Sequence, residues 1–215
     1  MTKSAALEYI RSEGIIAVIR MKDPDRLAKV VMAIREGGVK CIEITMTVPG
    51  AVEIIAGMVR TAPADVLVGA GTVTDKGTAL EVIAAGSKFV VSPVFRPDVV
   101  SVARAAGVIA VPGCYTPTEI LTAWEAGADL IKVFPSTSLG PKYFRDLSGP
   151  FPHIPLMPTG GVSIDNVGDW VKAGAVAVGI GGDLLDSKAI AEGRYDVLTE
   201  KAARAVRNFR GAKES

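Results

Sequence analysis

The chain has 215 residues, 49% hydrophobic and 22% charged, and 24 basic against 23 acidic side chains leave a net charge of +1. A mean hydropathy of +0.35 excludes a disordered polymer and supports a sizeable core. The balanced charge argues against a dedicated nucleic-acid binder or a polybasic membrane binder. No apolar run approaches the roughly 20 residues of a membrane span. The opening MTKSAALEYIRSEG places Glu8, Arg11 and Glu13 where a signal peptide needs an apolar stretch, so a cytoplasmic protein is expected. Cys41 and Cys114 form no CxxC and are too few for a disulfide scaffold. A single histidine, His153, argues against His-ligated metal sites and His-centred triads, and neither metal nor cofactor is expected.

In chain order, residues 4–13 suit a short leading helix, and IIAVIR (15–20) reads as a strand followed by a helical pattern at 23–36. KCIEIT (40–45) precedes a helix near 50–60, VLVGAG (66–71) a helix at 75–85, and KFVVSP (88–93) a helix at 97–106. VIAVPG (108–113) precedes a helix at 117–126, and DLIKVFP (129–135) a weaker one at 141–148. IPLMPTGG (154–161) leads to 164–173, and AVAVGIGG (175–182) to a closing helix at 187–209. The strands are nearly continuous apolar runs, as in a parallel sheet covered on both faces.

A weak repeat recurs at the helix ends: REGGVKCIEI, AAGSKFVV, RAAGVIAV, EAGADLIKV and KAGAVAVGI. Glycine there supplies the left-handed residue that stops a helix before a strand begins. Eight strand–helix units behind a short N-terminal helix predict one (β/α)₈ barrel domain over residues 1–215. The rival, a doubly wound dinucleotide-binding sheet, wants G-x-G-x-x-G after the first strand, and IIAVIRMKDPD has no glycine there.

Barrel chemistry sits where strands end. Among the ionisable residues of the eight strands, Lys40, Lys88 and Asp129 start theirs, at the opposite rim. Arg20, Glu43 and Lys132 remain in the middle or C-terminal half of theirs. If Lys132 points inward with Leu130 and Phe134, the apolar setting lowers its pKa and frees a nucleophilic amine. Glu43, inward with Cys41 and Thr45, is then placed to shuttle protons. The same pair also reads as a buried ion pair bracing the barrel. Arg20 fits a clamp on a carboxylate or phosphate, or else a rim salt bridge. Gly160 and Gly161 in TGG, and Gly181 and Gly182 in GIGG, lie where barrels often bind phosphate; tight turns are the plainer use. Thr72 in GAGT either donates to a substrate oxygen or caps the next helix. Both cysteines read as packing, and His153 lies on the wrong rim for chemistry.

IEIT with Glu43, GAGTV (69–73), VSP (91–93), PGCYTPTE (112–119), IKVFP with Lys132 and PTGGV (158–162) occur in this order. Together they resemble the 2-keto-3-deoxy-6-phosphogluconate (KDPG) aldolase family, which includes 4-hydroxy-2-oxoglutarate aldolases. The resemblance covers essentially the whole chain. It implies a metal-free class I aldolase, usually trimeric, acting on a small 2-keto acid. The family's Schiff-base lysine falls on Lys132 and its acid/base glutamate on Glu43, with the pyruvate-side threonine on Thr72. Pro93 and Phe134 match residues lining the site, and Thr159, Gly160 and Gly161 match the distal, phosphate-end contacts.

Two positions depart from the family pattern. Where some members carry an arginine four residues after the glutamate, this chain has Thr47, and members of the ITxTVP form carry an arginine ending the first strand, here Arg20. Where members often show a phosphate-binding serine after the last strand's glycines, this chain has Asp183, expected to turn away and cap the last helix. Hydroxyoxoglutarate and unphosphorylated 2-keto-3-deoxy sugar acids are the alternative substrates. Competing readings are an isomerase or epimerase using Lys132 and Glu43 as an acid/base pair, a metal-dependent pyruvate aldolase, and a non-enzymatic binding barrel.

Overall fold

The computed structural model describes residues 1–214. The leading helix α1 (Lys3–Glu13) starts on the Thr2 hydroxyl, which accepts from the Ala5 N–H, and stops at Gly14 with φ 74°. Units of strand and helix follow: β1 (Ile15–Ile19) and α2 (Pro24–Glu36), β2 (Cys41–Thr45) and α3 (Ala51–Thr61), β3 (Leu67–Gly71) and α4 (Lys76–Ala84). Next come β4 (Phe89–Val91), α5 (Pro97–Ala105), β5 (Ile109–Val111), β6 (Gly113–Cys114) and α6 (Pro117–Glu125). β7 (Ile131–Val133) leads through a 3₁₀ turn (Ser136–Ser138) to α7 (Gly140–Ser148), then β8 (Leu156–Pro158) and α8 (Val167–Lys172). β9 (Val178–Ile180), α9 (Ser187–Ala191) and α10 (Tyr195–Lys213) close the chain.

All pairings are parallel. The strands form a curled six-stranded sheet, ordered β5-β4-β3-β2-β1-β9, and a three-stranded sheet, β6-β7-β8. The expected fifth strand is split because Pro112 separates β5 from β6, and proline brings no N–H to the ladder. A single parallel bridge between Thr159 and Gly179 ties the small sheet to β9. On the other flank the Lys132 N–H donates to the Pro112 carbonyl at 3.0 Å.

Two apolar layers follow from the strand alternation. Ile16, Cys41, Leu67, Phe89, Leu130 and Met157 share the inner cluster, while Ile15, Ile42, Val68, Val90 and Ile131 pack outward under the helices. The five expected helix-stop glycines all have left-handed backbone: Gly38, Gly86, Gly107, Gly127 and Gly174 have φ between 67° and 101°. The closing helix differs from expectation. Gly193, at φ 72°, divides it into α9 and α10, since a left-handed residue cannot continue an α-helix.

Candidate active site

Because every strand runs the same way, their C-terminal ends share one mouth. Inner residues recur every second position, so Glu43 stands one step above inner Cys41, and Lys132 one step above inner Leu130. Both are buried, Glu43 1% and Lys132 5% exposed. Lys132 Nζ lies over the Phe134 ring, 4.8 Å from its centroid. Among the described residues no ion pair joins Lys132 to Glu43, and Glu43 Oε2 is buried without a hydrogen-bond partner. The alternative reading of the two as a bracing ion pair is therefore not the arrangement found.

Burial pushes the Lys132 ammonium below the ordinary lysine range. Arg20 adds to that, while the Glu43 charge opposes it. Burial likewise pushes the Glu43 carboxyl up, against the opposing pull of Lys132 and Arg20. The pair thus combines an amine eased toward its neutral form with a carboxyl able to hold or give up a proton. Room for that carboxyl comes from β3. The inner positions Gly69 and Gly71 carry no side chain; a Cβ at Gly69 would strike the Phe89 ring, and one at Gly71 would fall on the Glu43 carboxylate.

The remaining expected residues lie at or just past the C-terminal ends of strands. Arg20 lies just past β1, exposed, and makes no ion pair among the described residues, so the rim salt bridge is absent. Thr72 is half-buried with φ 60°, an unusual backbone for a β-branched residue. It does not cap α4, whose N-cap is Asp75. Pro93 and Phe134 are half-buried beyond β4 and β7. Thr159 is buried, its Oγ1 without a partner and pressed toward Gly179. Gly160 and Gly161 have φ 81° and 77°. A Cβ at Gly181 would stand 3.7 Å from the Val18 carbonyl oxygen, and the next residue, Gly182, is exposed.

Asp183 corrects an expectation. It caps neither α9 nor α10: the Ile164 N–H donates to Asp183 Oδ2 at 2.7 Å, across to the turn after β8. The cap of α9 is Asp186, which accepts from the Ala189 N–H at 2.9 Å. Asp183 stands three positions before the cap, with Leu184 and Leu185 between, and only the residue immediately before a helix reaches its free N–H groups.

Sequence reasoning missed Gly71, whose need arises from a neighbouring strand, and the Thr45–Thr47 hydroxyl pair at 2.8 Å. It also missed the buried, unpartnered Ser92 hydroxyl beside Pro93. The other reactive residues lie away from the mouth or are inert. Cys41 and Cys114 are free and buried, and burial raises both thiols, Cys114 to about 12. His153 is exposed against Trp124, before β8 at the opposite end. Among the described residues no cluster of His, Cys, Asp and Glu is arranged to hold a metal ion, and no helix is long and apolar enough to cross a membrane.

This buried lysine and carboxylate at a shared strand mouth meet a family model described as KDPG and KHG aldolase, which matches residues 7–201. The chain belongs to that family. A 2-dehydro-3-deoxy-phosphogluconate aldolase of Treponema pallidum is 35% identical over 195 residues, covering 90% of this chain and 91% of the relative. A 2-dehydro-3-deoxy-6-phosphogalactonate aldolase of Escherichia coli is 32% identical over 199 residues, covering 92% and 95%. Among solved structures, a KDPG aldolase of Legionella pneumophila, with pyruvate captured as a covalent carbinolamine, superimposes with a TM-score of 0.85 at 25% identity, covering 93% of this chain and 97% of that one. As a family member the chain is an aldolase, a carbon–carbon lyase.

Proposed function

We propose that the chain works as one catalytic domain, a class I aldolase that cleaves KDPG to pyruvate and glyceraldehyde 3-phosphate. The observation that carries this reading is the buried Lys132 amine, its ammonium disfavoured by burial, with the Glu43 carboxyl in electrostatic reach. In the forward direction the neutral Lys132 amine attacks the keto carbon, giving a carbinolamine. Glu43, once it carries a proton, donates it to the departing hydroxyl; water leaves and a protonated imine forms. The imine draws electrons from the bond between the third and fourth carbons. That bond breaks as ionised Glu43, through water, accepts the proton of the fourth-carbon hydroxyl. The aldehyde departs, and the enamine is reprotonated and hydrolysed to pyruvate, restoring the free lysine.

Arg20 and Thr72 hold the keto-acid end in this reading. Pro93 and Phe134 wall the reacting carbons, and Thr159, Gly160, Gly161, Gly181 and Gly182 form the distal wall. The two sheets close into an eight-stranded (β/α)₈ barrel, a reading supported by the Thr159–Gly179 bridge and the Lys132–Pro112 hydrogen bond at their seams. A homotrimer acting in the cytoplasm follows from the family resemblance, and sedimentation equilibrium tests the subunit number.

Borohydride reduction in the presence of pyruvate is the decisive experiment. The expected result is a covalent pyruvate-derived mass on Lys132, absent in Lys132→Ala. Absence of trapped mass points instead to an isomerase or epimerase using Lys132 and Glu43 as an acid/base pair, or, where chelator-sensitive cleavage persists, to a metal-dependent aldolase, and removes the imine from the mechanism.

A further inference from the structure

The Lys132 nitrogen must be neutral to attack a carbonyl and is positive once the imine has formed, so its surroundings have to tolerate both states. Two charged groups act on it with opposite signs, Glu43 from β2 and Arg20 from just past β1. The strands that flank β7 add none: Lys132 pairs with Gly113 on β6 and with Met157 on β8. Among the described residues Lys132 Nζ has no hydrogen-bond or ion-pair partner. What it faces is the Phe134 ring, whose centroid is 4.8 Å away.

Phe134 stands two residues beyond Lys132, on the same side of the chain by the strand period and one step nearer the mouth. Its backbone N–H donates to the Cys114 carbonyl at 3.0 Å, which carries the β6–β7 ladder one residue further and fixes the base of the ring. The turn after β8 passes the ring without a side chain: a Cβ at Gly160 would stand 3.8 Å from Phe134 Cδ2. The face of a benzene ring is negative and attracts a cation within about 6 Å of its centroid, more strongly where water is excluded. Lys132 is in such a place, buried and beneath a half-buried ring. Unlike a carboxylate, the ring carries no net charge and takes no proton. It favours the cation without locking the lysine as ammonium.

We infer that the Phe134 ring is a catalytic group, its face stabilising the positive charge of the protonated imine on Lys132. This rests on the aldolase reading above and deepens it, giving Phe134 an electrostatic task beyond that of a wall. The task has a definite pH dependence. When the ammonium reacts with the keto group, one cation replaces another at the same nitrogen, water is released and no net proton is exchanged, so the contribution of the ring cancels. When the neutral amine reacts, the nitrogen gains a charge as one proton is taken up and water leaves, and the contribution of the ring is felt in full.

The test replaces Phe134 with 4-fluoro-, 3,5-difluoro- and 3,4,5-trifluorophenylalanine, which keep the shape of the ring and drain its negative face stepwise. Pyruvate is the probe, and borohydride trapping on Lys132 gives two readouts. The pH midpoint of the trapping rate reports the free amine, and the pyruvate concentration that half-saturates trapping reports the imine. Across the series the midpoint is expected to fall by about one pH unit. Half-saturation should need about tenfold more pyruvate above the midpoint and the same amount below it. The two shifts should match, because both measure the preference of the ring for the cation. Readouts indifferent to fluorination overturn the proposal. So does a half-saturating concentration that rises equally at every pH with a fixed midpoint, the mark of a ring that only shapes the pocket. Trapping in the parent separates the two levels. If the parent traps pyruvate and the series is flat, only the Phe134 assignment fails; if the parent traps none, the aldolase reading fails and takes this assignment with it.

Discussion

Gly71 and Glu43 occupy the same space seen from two strands: a Cβ on Gly71 would lie on the Glu43 carboxylate. Glu43 cannot swing away cheaply, because it is buried and its neighbours Cys41 and Thr45 are fully packed. Gly71→Ala is therefore expected to displace the carboxyl and leave Lys132 in place. Turnover should drop about 10²-fold, while borohydride trapping of pyruvate persists. Parent-like turnover would show that Glu43 relocates without consequence.

Removing the carboxylate chemistry directly gives a sharper signature. Glu43→Gln keeps the shape but accepts no proton, and turnover should fall about 10²–10⁴-fold. The Glu43 charge raises the Lys132 pKa, and the Arg20 charge lowers it. The pH midpoint for imine trapping should thus move to lower pH in Glu43→Gln and to higher pH in Arg20→Gln. Midpoints that stay together in all three proteins would place Lys132 beyond the influence of both neighbours.

Lys132 itself is expected to cost stability. Its pKa in the folded chain lies below the ordinary lysine value of 10.5, so between the folded value and 10.5 the unfolded chain holds more protons. Stability attributable to this site therefore rises with pH across that window, and the burial penalty is greatest below it. Lys132→Met should abolish trapping, equal or exceed the parent in thermal stability at neutral pH, and show a flatter rise of stability with pH. Lys132→Arg should also lose cleavage, because a guanidinium does not form the imine. A large fall in melting temperature for Lys132→Met would reveal a structural role.

Asp183→Ser tests the corrected assignment. The shorter side chain gives up the bond from the Ile164 N–H, and stability should fall by about 1 kcal/mol. The preference for phosphorylated over unphosphorylated aldehyde should shift by less than about threefold, because the Ile164 N–H already holds and partly offsets the carboxylate charge. A tenfold gain for the phosphorylated aldehyde would place Asp183 against the phosphate after all.

Much of this was legible in the sequence for definite reasons. Apolar runs separated by helical periods determine a parallel α/β fold, and helix-stop glycines such as Gly86 and Gly127 mark the junctions because only glycine adopts that backbone without cost. Alternation along short strands also places Glu43 and Lys132 on the inner face, since a charged residue amid buried apolar neighbours has a period of two to obey. Local pattern could not reveal what depends on a partner strand or loop. Gly71 is required by a side chain on β2, and Asp183 finds its hydrogen bond 19 residues back in the chain. Pro112 splits a strand because it brings no N–H to the ladder its partner strands would complete, and Arg20 and Arg26 come to line one cleft only where β1, α2 and the β9 loop converge. Periodicity and turn chemistry act over a few residues, whereas steric exclusion and electrostatics act through space, and the tertiary structure alone decides which residues share that space.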